Sequence, residues 1–319
     1  MIAERMNVTC PACDSPHTET LGVLPVFTPD ESGLLDGSRR SRLYRCRRCE
    51  LRFRHPVPTA EELKHYYGTL ASEEWWQYEE EREVWRHVRT EIERAPARTV
   101  LDVGCFRGDL LAFLGDDWER FGVEPSRDAR RVAESRGVKI IGETVDALAD
   151  STMRFGAITL IDVIEHLPRP LDSLRKLVRL LPPGGRLVIF TGATDAPAWR
   201  FSGEHYWYSA MPEHVVFFRP SWFHWAAPQL GCAVGSVRRL SFHPAPPRER
   251  ADEALKNVAY VGFKRLAQLP LVGAALRRLP VVRRIGGWTG SWWTTARDHA
   301  LVTLVRQGDD SPVGDPPSP

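Results

Sequence analysis

The sequence predicts an α/β protein built around a parallel sheet, and three observations favour this fold class. From about Thr99 onward, short apolar runs alternate with segments of helical period, the pattern of parallel strands joined by crossover helices. The first run, TVLDVG, leads into a turn with two glycines and then a helix. Two Cys-x-x-Cys pairs near the N-terminus predict a small, separately stabilised segment before the sheet.

The predicted elements follow in a regular order. The central strands lie in TVLDVG, RFGVEP, VKIIG, FGAITLID and GGRLVIFT, and HALVTLVR has the β-branched content of a final strand. A helix is predicted over about residues 72–93, because Trp85, Val88 and Ile92 recur at helical spacing. Further helices are predicted in PTAEELKHYY, after the glycine turn, and in ARRVAESRG, LDSLRKLVRLL, FRPSWFHWAAPQLGC, ALKNVAYVGFKRLAQL and AALRRL.

The composition is that of an ordinary globular protein with one main domain and an appendage. The 319 residues are 43% hydrophobic and 26% charged, and a net charge of +2 favours neither acidic nor basic partners. No run approaches the roughly 18 consecutive apolar residues of a membrane-spanning helix, and MIAERMNVTC lacks the apolar core of a signal peptide. We therefore expect a cytoplasmic protein.

Four of the six cysteines form two pairs, Cys10 with Cys13 and Cys46 with Cys49. In a reducing compartment such pairs indicate a metal rather than disulfides, and four thiolates are the ligand set of a closed, tetrahedral structural zinc. The 32 residues between the pairs exceed the usual spacing of about 15–20, so a long loop is expected there. Unliganded thiols or a disulfide form are the alternative, and His17 is a weaker candidate ligand.

The second cysteine pair lies in an arginine-rich stretch, RRSRLYRCRRCELRFRH, with eight arginines and one glutamate. Such a patch suits nucleic acid or a phosphorylated substrate. A solvated surface is the equally weighted alternative. Neither a recognition helix nor an aromatic platform is evident in the stretch, which makes nucleic acid the less favoured partner.

A glycine turn follows the first central strand, in LDVGCFRG. Gly104 and Gly108 let the backbone turn tightly, and the amides at the start of the next helix are donors for a ligand. Twenty-two residues after Asp102, Glu124 ends the next strand, where a carboxylate can accept both hydroxyls of a ribose. Phe106 stands where a dinucleotide-binding turn has its middle glycine. The pattern therefore favours a nucleoside ligand without a diphosphate.

These residues resemble the class I S-adenosylmethionine-dependent methyltransferases, whose first motif reads close to LDVGCGxG. The resemblance covers about residues 99–235 and is carried, in family order, by LDVGCFRGDLL, VEPS, FGAITLIDVIEHLPRPLDSLRKLVRLLPPGGRLVIFT and EHVVFFRPSWF. It implies a Rossmann-like, doubly wound sheet of seven strands, methyltransferase activity, and S-adenosylmethionine as the cofactor.

The resemblance also implies which residues bind the cofactor. The expected set is Asp102, Gly104, Gly108, Glu124, Asp146 and Asp162. Asp102 and the turn at Gly104 would face the methionine part, while Glu124 would hold the ribose and Asp146 would lie near the adenine. A purely structural role is the alternative for the two glycines and for Asp146. Phe106 departs from the family's usual glycine, which affects the detailed contacts of the loop.

The front segment resembles the zinc-ribbon methyltransferases of sugar, polysaccharide and natural-product biosynthesis, because FRHPVPTAEELKHYY follows the cysteine ribbon. This match is shorter and less specific than that of the core. We expect a zinc ribbon at 1–57, a helical linker at 58–97, a methyltransferase core at 98–250, a helical insertion or lid plus the final strand at 251–306, and a disordered tail at 307–319.

The stretch IDVIEHLP places Asp162, Glu165 and His166 at the end of the fourth strand, where ligands gather in such sheets. His166 is a candidate general base, and His214 is the second catalytic candidate. Alternatively, all four of these residues hold a divalent metal that acidifies or orients a substrate hydroxyl. This set resembles the ExxEH motif plus a downstream histidine of small-RNA 2'-O-methyltransferases, and the ExxEH of ubiquinone-pathway O-methyltransferases. In a third interpretation, His166 is neither a base nor a metal ligand and only makes a structural hydrogen bond.

Two aromatic-rich stretches complete the sequence. WRFSGEHYWYSAMPEHVVFF follows the fifth strand, where this fold usually builds its acceptor pocket, and its rings would suit a sugar or a planar ring; core packing is the alternative explanation. LRRLPVVRRIGGWTGSWWTTAR combines arginines with three tryptophans and is interpreted as a lid, a dimer surface or a peripheral membrane contact.

We therefore expect an S-adenosylmethionine-dependent methyltransferase that acts on a small-molecule or carrier-linked acceptor, including nucleotide-linked ones, most often a sugar or secondary metabolite. The alternatives are an RNA methyltransferase that uses the arginine-rich ribbon, and a non-catalytic zinc-ribbon interaction protein on a degenerate methyltransferase fold. Strongly salt-dependent RNA binding would favour the first alternative.

Overall fold

The computed structural model describes residues 8–24, 41–57, 59, 61, 82–211, 213–268 and 293–308, and the structural statements below concern these residues. The strands are β1 (Thr18–Val23), β2 (Arg42–Cys46), β3 (Arg52–His55), β4 (Thr99–Val103), β5 (Glu119–Val123), β6 (Lys139–Gly142), β7 (Ala157–Ile161), β8 (Arg186–Gly192), β9 (Val216–Phe217), β10 (Cys232–Leu240) and β11 (His299–Arg306). The α-helices are α1 (Glu83–Ile92), α2 (Asp109–Leu114), α3 (Arg127–Ser135), α4 (Pro170–Val178), α5 (Pro197–Ser202), α6 (Trp207–Ala210), α7 (Pro220–Gln229) and α8 (Pro247–Gln268).

The main sheet of the described residues has seven strands in the order β10-β11-β8-β7-β4-β5-β6. Strands β4 to β8 pair in parallel, whereas β11 runs antiparallel to both β8 and β10. This is the Rossmann-like, doubly wound α/β fold that the sequence predicts. The order reverses between β4 and β7, so the carboxyl ends of the parallel strands flank a crevice there. Because β11 is antiparallel, its first residue, His299, lies at the same edge, paired with Gly192.

Burial explains why these segments form the sheet and its flanking helices. Every residue of β8, RLVIFTG, is buried, as expected for a central strand with both faces covered. In α4, Leu171, Leu174, Leu177 and Val178 are buried on one side, which is the spacing of an amphipathic helix. Burial of each such side chain contributes about 1.5–3 kcal/mol.

A second sheet joins the cysteine-bearing segment to the main domain. Its order is β1-β2-β3-β9, and the last strand, β9, belongs to the chain that follows the main domain's fifth parallel strand. In the antiparallel pairing of β3 with β9, Arg52 lies opposite Phe217 and Phe53 opposite Val216. Phe53 and Val216 also belong to one continuous buried cluster that includes the centre of the main sheet. The cysteine segment is therefore packed into the main domain.

Several sequence predictions can be compared with these elements. The strand in HALVTLVR and the helix in FRPSWFHWAAPQLGC are confirmed as β11 and α7. The helix predicted over residues 72–93 is described only from Glu83, and its earlier part lies outside the described residues. The segment boundary expected between residues 250 and 251 falls within α8, which begins at Pro247.

Other predictions fall on residues that are not described. Apart from Thr59 and Glu61, PTAEELKHYY lies outside the described residues. So do AALRRL, the tail beyond Gly308 and most of the tryptophan-rich C-terminal stretch. Among the helices that are described, none has the length and apolar character needed to cross a membrane.

Candidate active site

The glycine turn adopts the conformation that its sequence predicts. Gly104 and Gly108 have φ angles of 72° and 75°, in the left-handed region that favours glycine. A Cβ on Gly104 would lie 2.5 Å from Cγ2 of Val163, so a side chain is excluded by contact as well as by conformation. Phe106, where the family has glycine, is also left-handed, with φ 47°. A non-glycine residue in this conformation costs about 1–2 kcal/mol.

Glu124 braces this turn from the neighbouring strand. Its Oε2 accepts a hydrogen bond from the amide of Phe106 at 2.9 Å, and its Oε1 accepts one from the amide of Ser126 at 2.8 Å. Burial raises the pKa of Glu124. Each carboxylate oxygen has two lone pairs, so both can accept a ribose hydroxyl as well. The geometry fits the predicted role in holding a nucleoside.

Asp102 is buried at the end of β4. Its Oδ1 accepts a hydrogen bond from Thr159 Oγ1 at 2.6 Å, and burial raises its pKa to about 7. Asp146 differs from this buried pair of acids. Its carboxylate is exposed and lies 2.6 Å from Lys176 Nζ on α4. The structure thus brings Asp102 and Glu124 to the turn but directs the side chain of Asp146 to the surface.

Asp162 follows β7 with a left-handed φ of 54° and forms an ion pair that the sequence did not reveal. Its Oδ2 lies 2.8 Å from Nη1 of Arg82, the residue just before α1. Asp162 Oδ1 and Arg82 Nη2 are buried and have no hydrogen-bond partner among the described residues. A partly buried ion pair with two unpaired buried atoms is a place for a polar ligand, because unpaired buried polar atoms are costly.

Glu165, His166 and His214 form a cluster beside this pair. One ligating atom of each lies within 4.8 Å of the others, and the two imidazole centroids are 4.9 Å apart. The structure therefore brings together three of the four residues predicted as a second metal site. The fourth, Asp162, is engaged by Arg82 instead.

Both histidines are oriented by backbone carbonyls. His166 Nδ1 lies 3.2 Å from the carbonyl oxygen of Glu213, and His214 Nδ1 lies 2.8 Å from that of Tyr208. A carbonyl only accepts, so Nδ1 of His214 carries the proton and its Nε2 is the basic nitrogen. The His166 ring faces a second carbonyl, that of Asp162. Burial lowers the pKa of His166 to about 4 and that of His214 well below its ordinary value. The two rings are therefore neutral near pH 7.

Glu165 is held by two hydroxyl groups. It accepts hydrogen bonds from the Tyr208 hydroxyl on one oxygen and from Thr191 Oγ1, at 3.0 Å, on the other. Burial, with a further contribution from Asp162, raises the pKa of Glu165 to about 7. The side chain is fully buried, so it acts within the cluster rather than at a solvent-exposed surface.

An Asp-His pair at the same edge of the sheet was missed by sequence reasoning. His299 Nδ1 lies 2.9 Å from Asp298 Oδ1, and the Tyr206 hydroxyl donates to Asp298 Oδ2 at 2.5 Å. His299 Nε2 is buried without a hydrogen-bond partner among the described residues. Asp298 and His299 adjoin the predicted strand HALVTLVR and lie far along the chain from the other candidates. Only the antiparallel direction of β11 places them at this edge.

The aromatic stretch after the fifth strand is largely core. Tyr206 and Tyr208 are almost completely buried, and the ring centroids of Trp199 and Tyr206 are 4.9 Å apart. Core packing therefore accounts for many of these rings, as the alternative interpretation held. Their hydroxyls nevertheless orient the carboxylates of Asp298 and Glu165.

The four paired cysteines converge as the sequence predicts. Cys10 Sγ lies 3.6 Å from Cys49 Sγ, Cys13 Sγ lies 3.5 Å from Cys46 Sγ, and all four sulfurs lie within 4.8 Å of one another. A tetrahedral zinc with bonds of about 2.3 Å requires sulfur separations of about 3.8 Å. Hydrogen bonding among the four thiols lowers the pKa of Cys13 and Cys46 and raises the pKa of Cys10 and Cys49. The residues fit a structural zinc.

The two cysteine turns also have matching backbones. Asp14 and Glu50, which directly follow the pairs, have left-handed φ angles of 55° and 60°. Their amides donate to the carbonyls of Cys10 and Cys46, each at 3.0 Å. The same turn, used twice, presents two sulfurs from each side of the cluster, as in a zinc ribbon.

The arginine-rich stretch is less available than its composition suggests. Arg45 and Arg47 pair with Glu19, at 2.5 and 3.2 Å. Arg52 is half-buried, and Arg54 is only 6% exposed. The described part of this stretch therefore offers fewer arginines to a phosphate backbone than the sequence count implies.

Comparison with known proteins agrees with the fold and the cofactor turn. A family model described as a methyltransferase domain matches residues 76–237, about half of the chain. A ubiquinone biosynthesis O-methyltransferase of Alkalilimnicola ehrlichii is 30% identical over 171 residues, which are 49% of this chain and 69% of the relative. The same enzyme of Serratia proteamaculans is 32% identical over 138 residues, 39% of this chain and 57% of the relative.

Among solved structures, a SAM dependent methyltransferase from Archaeoglobus fulgidus aligns with a TM-score of 0.47 and 15% identity, covering 70% of this chain and 93% of that one. The family match spans the glycine turn, Glu124 and the stretch IDVIEHLP. The chain therefore belongs to the methyltransferase domain family and is a class I S-adenosylmethionine-dependent methyltransferase with an N-terminal cysteine ribbon.

Proposed function

We propose that this methyltransferase transfers the methyl group of S-adenosylmethionine to a hydroxyl oxygen of a small-molecule or carrier-linked acceptor, of the sugar or secondary-metabolite class. The observation that carries the proposal is the cluster of Glu165, His166 and His214 at the carboxyl edge of the sheet. The similar curated proteins are named as O-methyltransferases, which supports oxygen as the acceptor atom. The proposal includes the predicted cytoplasmic location.

The cofactor site is proposed to comprise the glycine turn, Asp102, Glu124 and Asp162. Amides of the turn and the carboxylate of Glu124 would hold the nucleoside, and the Arg82–Asp162 pair has unfilled positions for polar groups. S-adenosylmethionine supplies a methyl group activated by its sulfonium. Asp146 is proposed to lie near the adenine through the turn that carries it, because its side chain is engaged by Lys176.

We propose that a histidine acts as the general base that accepts the proton of the acceptor hydroxyl. His166 and His214 are neutral near pH 7, and His214 has a basic Nε2 because its Nδ1 donates to the carbonyl of Tyr208. A neutral imidazole in hydrogen-bond reach of a hydroxyl contributes about 10²–10⁴-fold as a general base. The buried aromatic groups around the cluster would exclude water from the acceptor.

The same three residues fit a divalent metal. Two imidazoles and one carboxylate leave open positions for a substrate oxygen, and a metal there would supply Lewis acidity to that oxygen. Ligating histidines usually donate their other ring N–H to a carbonyl, which both rings do here. We propose Glu165, His166 and His214 as the ligands, without Asp162, because Arg82 engages its carboxylate.

Kinetics of His166→Asn and His214→Asn test the proposed function. We expect kcat to fall about 10²-fold or more in each variant, while calorimetry shows unchanged affinity for S-adenosylmethionine. Release of labelled methyl from the cofactor to a panel of hydroxylated sugars and phenols would identify the acceptor. Glu124→Ala is the contrasting variant, since it should weaken cofactor binding. Full kcat in both histidine variants would refute the proposal.

Calorimetric titration with Mn²⁺ in the same experiment separates the two versions of the mechanism. Binding that is lost in His214→Asn supports the metal, whereas a wild-type protein that binds no Mn²⁺ outside the cysteine cluster leaves the histidines to act alone.

RNA methylation receives no support from a specific structural observation. The charged side chains of Arg45 and Arg47 are paired, and Arg54 is buried. We also propose that the ribbon holds one zinc through Cys10, Cys13, Cys46 and Cys49, on the strength of the sulfur separations described above.

A further inference from the structure

Arg54 lies on β3, five residues after the last cysteine of the ribbon, yet its side chain points into the main domain. Its Nε donates to the carbonyl oxygen of His214 at 3.1 Å, and its Nη2 donates to those of Ser209 and Met211, at 2.9 and 2.8 Å. One planar guanidinium thus binds three carbonyls of a single loop. Lysine cannot reproduce this pattern, because its ammonium is a point charge on a flexible stem.

The buried position of the Arg54 charge indicates that it serves to hold the backbone of this loop. Burial lowers the pKa of Arg54 to about 10, and the negative charge of Glu213 partly offsets this effect. A buried charge whose described hydrogen bonds go to carbonyl oxygens is costly to keep. Such an arrangement fixes the backbone of the loop in one shape.

The loop held by Arg54 carries His214, one of the two catalytic candidates. The carbonyl of Tyr208 orients the ring of His214, and the Tyr208 hydroxyl donates to Glu165. The backbone continues the link, since the Arg54 amide donates to the carbonyl of Val215 and the Val215 amide donates to that of Glu165, each at 2.9 Å. Strand β3 of the ribbon, the loop that carries His214 and the backbone at Glu165 therefore form one continuous hydrogen-bonded unit.

We propose that Arg54 is a positioning residue through which the cysteine ribbon sets the geometry of His214 and Glu165, and with it the rate of methyl transfer. Arg54 touches neither cofactor nor acceptor in this role. The ribbon is then part of the catalytic architecture rather than a separate recognition module. The inference rests on the proposed role of His214. A misplacement of about 1 Å at a catalytic group can lower the rate about 10²-fold.

The test compares Arg54→Lys with Arg45→Lys, the same substitution in the adjacent ribbon strand. Arg45 pairs with Glu19 and makes no described contact with the loop. We expect Arg54→Lys to lower kcat about tenfold or more, with unchanged zinc content, circular dichroism and affinity for S-adenosylmethionine, whereas Arg45→Lys should match the wild type. Added guanidinium should partly restore kcat in Arg54→Ala.

A spectroscopic signature distinguishes positioning from a general effect on stability. In protein labelled with ¹⁵N-histidine, the Nδ1–H of His214 should give a slowly exchanging proton signal, assigned by its loss in His214→Asn. We expect Arg54→Lys to broaden this signal or to speed its exchange about tenfold. Unchanged exchange together with unchanged kcat would overturn the inference.

A measurement on the unmodified protein covers the case in which Arg54 variants fail to fold. In native-state hydrogen exchange, the amides of Arg54 and Val215 and the Nδ1–H of His214 should open as one unit, with similar protection. Independent opening of the loop while β3 stays closed would contradict the proposal. If His214→Asn retains full kcat, the proposed function fails, but these exchange results still decide whether Arg54 holds the loop.

Discussion

At the scale of single residues, the cofactor turn depends on backbone conformations that few side chains tolerate. Gly104 is left-handed and lies against Val163, so its lack of a Cβ meets two requirements at once. Phe106 shows that one left-handed position can be filled by another residue when Glu124 binds its amide. The motif is therefore recognisable although one of its glycines is replaced.

Gly104→Ala tests this interpretation, with Gly184→Ala as its control. Gly184 has a similar φ of 77°, but a Cβ there would meet nothing within 4 Å. We expect Gly184→Ala to lower the free energy of unfolding by about 1 kcal/mol from backbone strain alone. Gly104→Ala adds a steric clash with Val163 to this strain, so it should lower the free energy of unfolding by about 2–4 kcal/mol in total.

Chemical denaturation measures both variants, and calorimetry with S-adenosylhomocysteine measures cofactor affinity. Only Gly104→Ala should weaken binding. Equal losses of stability and unchanged affinity in both would show that the turn has no special contact at Gly104.

At the scale of elements, the cysteine ribbon is a short three-stranded unit completed by β9. Its large buried apolar side chains include Leu43, Leu51 and Phe53, and we expect the four thiols and the packing of Phe53 in the main core to hold it in place. Glu50 adds a link to the main domain, because both of its carboxylate oxygens lie 3.0 Å from Arg219 Nη1. We therefore expect the cysteine cluster and the contact with the main domain to stabilise one another.

Cys49→Ser tests the metal, with Cys232→Ser as its control. Both thiols are buried, but Cys232 lies alone on β10. We expect elemental analysis to find about one zinc per chain in wild type and Cys232→Ser, and well under one in Cys49→Ser. The melting temperature should fall more in Cys49→Ser, since metal binding contributes to folding. Equal zinc in all three proteins would rule out the predicted ligand set.

At the scale of the whole molecule, the buried ionisable groups link stability to pH. His166 has a folded-state pKa of about 4, against an unfolded value of about 6.5. Above pH 6.5 the ring is neutral in both states, so its ionisation does not change the stability of the protein. As the pH falls from 6.5 toward 4, the unfolded state takes up the proton first, so the protein loses stability.

The corresponding prediction compares the wild type with His166→Asn over that pH range. As the pH falls over this range, the wild type should lose about 2–3 kcal/mol more of its unfolding free energy than His166→Asn loses. Asp102 and Glu165, whose pKa values are raised to about 7, act in the opposite direction but are present in both proteins. Urea titrations at several pH values measure the difference, and parallel curves would contradict the assignment.

The cofactor half of the site could be read from the sequence because its signals are local. Asp102, Gly104 and Gly108 lie within one strand, turn and helix, and Glu124 ends the next strand. The cysteine pairs are equally local, since each turn carries two sulfurs. Short-range spacing therefore predicted the fold class, which the structure confirms, and the residues of the proposed cofactor turn and zinc site.

The acceptor half was decided by tertiary structure. Arg82 meets Asp162 across 80 residues, and Arg54 meets the loop of His214 across 160. Asp298 and His299 reach the site only because β11 runs antiparallel to β8. No periodicity or spacing marks such partners, because strand direction and the packing of the ribbon against β9 create the contacts. The sequence by itself thus determined that the protein is a methyltransferase, and the folded chain decided which side chains surround the reacting group.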